Sequence, residues 1–128
     1  MKLTQLPARL AVCRLAVDMP SPEWPRGAFL TITRTPDELS IVCDESSVPV
    51  DVVAERGWIA FQLEGPIPFD VTGVASSLTA PLAANGISLF LISTYDTDWL
   101  LVKESMRARA VAALESAGFG ISIAPQSD

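Results

Sequence analysis

Residues 58–123 read as strand, helix, strand, strand, helix, strand. That order predicts an α+β fold, an antiparallel sheet with both helices on one face. Three observations carry the prediction. The run Trp58-Ile59-Ala60-Phe61-Gln62-Leu63 is rich in aromatic and branched residues, and Glu64-Gly65-Pro66-Ile67-Pro68 after it cannot continue a ladder. Val71, Val74, Ala75, Leu78 and Leu82 then recur at helical spacing. Two apolar strands follow, at 87–94 and 99–103, on either side of a polar tip.

The boundaries follow from local chemistry. Asp70 or Thr72 is the expected cap of a first helix spanning 71–84, and Pro81 should kink or end it. Asn85-Gly86 supplies the left-handed residue that stops it. A second helix opens near Glu104 or Ser105 and places Met106, Ala110, Val111, Leu114 and Ala117 on one face. Gly118 closes it, and 119–123 make a last short strand. The strand at 87–92 is apolar beyond ordinary alternation, so its second face is expected to be covered by another part of the chain or by a second subunit.

The first half is less regular. Residues 8–17, 28–34 and 39–43 read as strands, with Thr35-Pro36-Asp37-Glu38 as a hairpin turn. Where a split βαβ would need a helix, Pro20, Pro22 and Pro25 forbid one. Residues 44–56 leave room for a partial helix. The chain therefore reads as two tandem ferredoxin-like modules, a reduced one at 1–57 and a full βαββαβ at 58–128.

Composition narrows the function. The chain has 128 residues, 49% of them hydrophobic, which suits a folded core. Nine Lys and Arg against fifteen Asp and Glu, with no basic run, exclude the usual footprint of a nucleic-acid binder. The apolar run at 10–17 is interrupted by Arg14 and closed by Asp18, too short and too charged for a signal or a membrane span. Cys13 and Cys43 sit among apolar neighbours and read as reduced, buried thiols, which points to a cytoplasmic protein.

Histidine is absent, which removes the commonest general base and metal ligand. There is no CxxC and no Gly-rich phosphate loop, so neither a metal nor a cofactor is expected. The single acid/base constellation is Asp96 and Asp98, two residues apart in the tip. The tip Thr94-Tyr95-Asp96-Thr97-Asp98 places donors and acceptors where Asn-Gly or Gly-Gly would turn more easily. Two readings stand open. Either the tip touches a ligand, or Asp96 and Thr97 brace an Asx-type turn on their own backbone.

Four segments carry a resemblance. Glu64-Gly65-Pro66, Pro81-Leu82-Ala83-Ala84-Asn85-Gly86-Ile87-Ser88 and Ile92-Ser93-Thr94-Tyr95-Asp96-Thr97-Asp98 are similar to small bacterial ACT-domain proteins of the aspartate-kinase-like type. Thr31-Ile32-Thr33-Arg34-Thr35-Pro36-Asp37-Glu38-Leu39-Ser40-Ile41-Val42 resembles their N-terminal half, and the Ser-Thr-Tyr-Asp-Thr-Asp run also resembles the paired ACT modules of animal arginine sensors.

The resemblance implies a non-catalytic, regulatory module that binds an amino acid or related metabolite near a module or subunit interface, as a homodimer. It points to one wall at Phe69, Asp70, Val71, Thr72 and Gly73, and another at Gly86, Ile87 and Ser88. Thr94, Tyr95, Thr97 and Asp98 match ligand-contacting positions of the sensors. In chemical terms, amides at the start of the first helix suit an α-carboxylate, and Asp98 or Asp96 suits an α-ammonium. Tyr95 or Trp99 would cover the side chain, and Thr94 and Thr97 would add hydroxyl contacts. The competing readings are a ligand-free assembly module and a small acid/base enzyme using Asp96 and Asp98.

Overall fold

The computed structural model describes residues 1–125. It divides into two compact units, Ala8–Trp58 and a second formed by Met1–Pro7 with Ile59 onward. The fold is α+β, with eight strands and two α-helices among the described residues.

The first strand, β1 (Lys2–Gln5), belongs to the second unit; within Ala8–Trp58 the elements are β2 (Leu10–Leu15), β3 (Thr31–Arg34), β4 (Leu39–Asp44) and the beginning of β5 (Val53–Leu63). They pair antiparallel in the order β3-β4-β2-β5. The β3–β4 turn is held by Thr35, whose hydroxyl accepts the Asp37 and Glu38 amides while its own N–H donates to the Glu38 carbonyl. Ala11, Cys13, Ile41 and Cys43 form the core of this unit, with Trp24, Val48 and Val52 packed on it. Both cysteines are free thiols, and burial, followed by the neighbouring Cys43, pushes Cys13 up to about 11. The partial helix expected after residue 44 is one 3-10 turn, Glu45–Ser47.

The second unit holds the end of β5, α1 (Val74–Ala84), β6 (Phe90–Ser93), β7 (Asp98–Lys103), α2 (Arg107–Ser116) and β8 (Gly120–Ile123), in the expected order. Its sheet contains one strand that the sequence reading lacks, β1 (Lys2–Gln5). β1 runs antiparallel to β5, with Leu3 opposite Leu63, and parallel to β8, with Leu3 beside Ile121. The sheet is therefore not wholly antiparallel. The N-terminus also belongs with residues 59 onward, whereas the sequence groups it with residues up to 57. Four residues whose partners lie far away along the chain give no local period to detect.

The core of this unit gathers Leu3, Phe61, Leu63, Leu78, Leu82, Leu100, Val102 and Leu114 from sheet and helices. Gln5 is buried but satisfied, because Arg107 Nε donates to its Oε1 at 2.8 Å and ties β1 to α2. Both helices end in the same way. Gly86 (φ 68°) and Gly118 (φ 99°) take the left-handed conformation past each C-terminus. The next amides, Ile87 and Phe119, donate back to Leu82 and Leu114. Both of those side chains are buried in the core just described, so each helix stop is also a packing contact.

The remaining boundaries differ by a few residues. α1 begins at Val74 instead of 71, with Gly73 as its N-cap and no side-chain capping bond from Asp70 or Thr72. β6 is shorter than predicted: Ile87 packs into the core before the ladder starts, and Phe90 is partly exposed. β5 is longer, starting at Val53. Pro81 sits inside α1 without ending it.

Leu3 is fully buried between β5 and β8. Leu3→Ala should cost about 3 kcal/mol, read as a lowered urea midpoint with an unchanged slope. An unchanged midpoint would show that β1 is dispensable.

Candidate functional site

The β6–β7 tip meets the end of β5 and the segment leading into α1 through one backbone hydrogen bond, one side-chain hydrogen bond and one close backbone approach. Ile67 N–H donates to the Asp96 carbonyl at 2.6 Å, and Thr97 Oγ1 donates to the Leu63 carbonyl at 2.7 Å. Gly65 lies so close that an added Cβ would stand 3.0 Å from the Asp96 oxygen and 3.1 Å from Thr97 Cβ. A side chain at 65 would push the two strands of chain apart.

The turn is closed by Thr94, not by an Asp96 side chain. Thr94 N–H and Oγ1 both donate to the Thr97 carbonyl, at 2.8 and 3.0 Å, and Trp99 Nε1 donates to Thr94 Oγ1 at 3.3 Å. Thr97 is buried and structural, whereas Tyr95 is 80% exposed. Asp98 lies at the first position of β7, where Ser93 Oγ donates to its Oδ1 at 2.6 Å. The turn is thus braced by hydroxyls, as the second reading of the tip expects, but by Thr94 in place of Asp96, and the Thr97 hydroxyl reaches Leu63 and not its own turn.

Between tip and helix lies a cleft of about 160 Å³, lined by Ile67, Pro68, Phe69, Val71, Val74, Ser93, Thr94, Tyr95, Thr97 and Asp98. Phe69, 74% exposed, meets Tyr95 edge to face with ring centroids 4.8 Å apart. The cleft joins five of the sequence-predicted residues, Val71, Thr94, Tyr95, Thr97 and Asp98, and adds Phe69 from the same predicted wall. Asp70 and Gly73 are not part of its lining.

Gly86, Ile87 and Ser88 are placed elsewhere. They follow the C-terminus of α1, while the cleft lies at its N-terminus, and eleven helical residues separate the two ends by about 16 Å. Gly86 and Ile87 have structural roles in the helix stop, and Ser88 is exposed. Asp96 and Asp98 also part company: Asp98 lines the cleft, and Asp96 lines a neighbouring depression of about 250 Å³ with Pro66, Phe69 and Tyr95. No group of three or more metal-ligating side chains occurs among the described residues.

The ACT domain family model matches residues 53–116, covering β5 through α2. The chain belongs to the ACT-domain family. A separate model for an N-terminal domain matches residues 9–51. The ACT chain is 33% identical over 94 residues to the Cytosolic arginine sensor for mTORC1 subunit 1 of Bos taurus, covering 65% of this chain and 29% of the sensor. It spans about half the length, or less, of the curated relatives it matches.

Among solved structures, a crystal structure of an Agrobacterium tumefaciens protein superposes with a TM-score of 0.92 at 38% identity, covering 99% of this chain and 96% of that one. Escherichia coli aspartokinase III in complex with aspartate and ADP gives a TM-score of 0.62 at 13% identity, over 91% of this chain and 33% of the kinase, a likeness of fold alone. No helix among the described residues is long and apolar enough to cross a membrane.

The Thr97 hydroxyl is the side-chain link that pins the tip to the end of β5. Thr97→Val keeps the shape and removes that bond. It should lower stability by about 1–2 kcal/mol in urea denaturation, because the Leu63 carbonyl is left without this partner. No loss would mean that the Ile67–Asp96 backbone bond and the close packing at Gly65 hold the tip without it.

Proposed function

We propose that this ACT-family protein is a non-catalytic regulatory module that binds a small amino acid or related metabolite in the cleft between the tip and the start of α1. The supporting observation is the convergence of unlike groups in one small space. Asp98 contributes a carboxylate, Thr94 a hydroxyl, and Val71 and Val74 an apolar wall, with the Phe69–Tyr95 pair at the side. Gly73 has no side chain with which to cap α1, so the amides of the first turn are open to an anionic group.

In this reading the α-ammonium pairs with Asp98 and the α-carboxylate approaches the helix start. A volume of about 160 Å³ suits a compact ligand and disfavours a nucleotide. A relative described as an arginine sensor supports amino-acid chemistry without fixing which amino acid is bound here. The separation of Asp96 from Asp98 into different depressions disfavours the acid/base enzyme.

The remaining site residues, Asp70, Gly73, Gly86, Ile87 and Ser88, enter this proposal through a homodimer. A second copy would bring the 86–88 segment of one chain toward the 69–73 loop of the other. We further propose that Ala8–Trp58 is a reduced copy of the ACT module and that the protein works in the cytoplasm. The competing reading, an assembly module without a ligand, shares the dimer and lacks the occupant.

A thermal-shift screen against the twenty amino acids and their biosynthetic intermediates tests the occupant. A ligand at about a hundred times its Kd adds about 2.7 kcal/mol, a shift of several degrees in a domain of this size. Asp98→Asn and Tyr95→Ala should each abolish the shift while leaving the unliganded Tm within about two degrees. A flat screen from a protein whose light-scattering mass is twice 13.7 kDa would favour the assembly module. A monomeric mass would remove the dimer from the proposal.

A further inference from the structure

On the sheet of the unit formed by residues 1–7 and 59 onward, alternation turns Leu3, Phe61 and Leu63 into the core. Their neighbours Lys2, Thr4, Gln62, Glu64 and Ser122 therefore share the other face. The register arranges these as two rows. Gln62, Thr4 and Ser122 lie side by side across β5, β1 and β8, with Thr4 Oγ1 and Ser122 Oγ 3.3 Å apart. In the next row Glu64 stands beside Lys2, through a Glu64 N–H to Lys2 carbonyl bond of 2.9 Å, and Gly120 stands on the other flank of Lys2.

The two rows line a cleft of about 360 Å³, formed by Lys2, Thr4, Gln62, Glu64, Gly65 and Ser122. Every lining side chain is polar and two are oppositely charged. Opposite charges on facing positions of an antiparallel pair ordinarily join each other. Among the described residues, neither Lys2 nor Glu64 takes part in an ion pair.

We propose that this cleft is a second binding site, for a small zwitterion. The Lys2 ammonium takes the anionic group of the ligand and the Glu64 carboxylate takes its cationic group. The Thr4 and Ser122 hydroxyls and the Gln62 amide supply neutral hydrogen bonds between them. A ligand with one charge leaves one of the two side chains uncompensated, so the site selects molecules carrying both. The site shares no lining residue with the cleft beside α1 and does not rest on the occupancy of that cleft.

The test is an amide-shift titration of the isotope-labelled full chain with glycine, and separately with acetate and with methylammonium. Glycine should give saturable shifts at residues 2–4, 62–65 and 120–122, with binding at least tenfold tighter than either single-charge probe. Lys2→Gln and Glu64→Gln should each weaken binding at least tenfold. Shifts confined to residues 67–74 and 93–98 would assign glycine to the cleft beside α1 and overturn the proposal. Absence of saturable shifts, or equal binding of acetate, would overturn it as well.

Discussion

The second unit depends on a strand of four residues. β1 enters between β5 and β8, so those two strands communicate through Leu3 and its backbone instead of pairing directly. The packing on the helix face and the polar cleft on the opposite face both follow from this insertion. Leu3 completes the apolar layer beneath the helices, while Lys2 and Thr4 supply the middle of each polar row. Gln5 extends the same dependence to α2 through Arg107. An N-terminal strand in this position makes the beginning of the chain part of a core assembled mostly from its other end.

The tip shows how a polar loop is made rigid without giving up its reactive groups. Its bracing uses backbone carbonyls of Leu63, Asp96 and Thr97 and the hydroxyls of Thr94 and Thr97. None of these bonds consumes the Tyr95 ring, and Asp98 accepts from the neighbouring Ser93 while still lining the cleft. Pre-positioned groups on a braced loop lose little conformational entropy on binding, which is where much of the affinity for a small ligand is otherwise lost. The large exposure of both Phe69 and Tyr95 is consistent with a surface that is covered in use.

Much of this was legible from residue types. Both helices, their glycine stops and the strands around the tip follow from periods and caps contained within each element. The run from Thr94 to Asp98 announced itself by its donors and acceptors. Three things were hidden for physical reasons. β1 has no local signature, because its identity lies in pairing with β5 and β8 far along the chain. The start of α1 lies later than residue types suggest, because Asp70 and Thr72 are good capping types that make no capping bond, while Gly73 occupies the cap. The polar cleft on the sheet could not be seen at all, since it exists only once the register sets Thr4 between Gln62 and Ser122 and Lys2 beside Glu64.

The two ends of α1 frame the remaining question of assembly. The proposed ligand wall at the helix start and the proposed wall past its end cannot meet in one chain, because about 16 Å of helix lies between them. In an isologous dimer each copy offers both ends, and a two-fold axis beside the helix sets the start of one against the finish of the other. Gly86 and Ile87 are already fixed by the Schellman bonds to Ala83 and Leu82, so the second wall would arrive as rigid backbone. A ligand bridging such walls stabilises the pair more than the single chain. Binding and association are then thermodynamically linked, and each strengthens the other by the same factor. In the proposed dimer, that reciprocity would be the means of regulation.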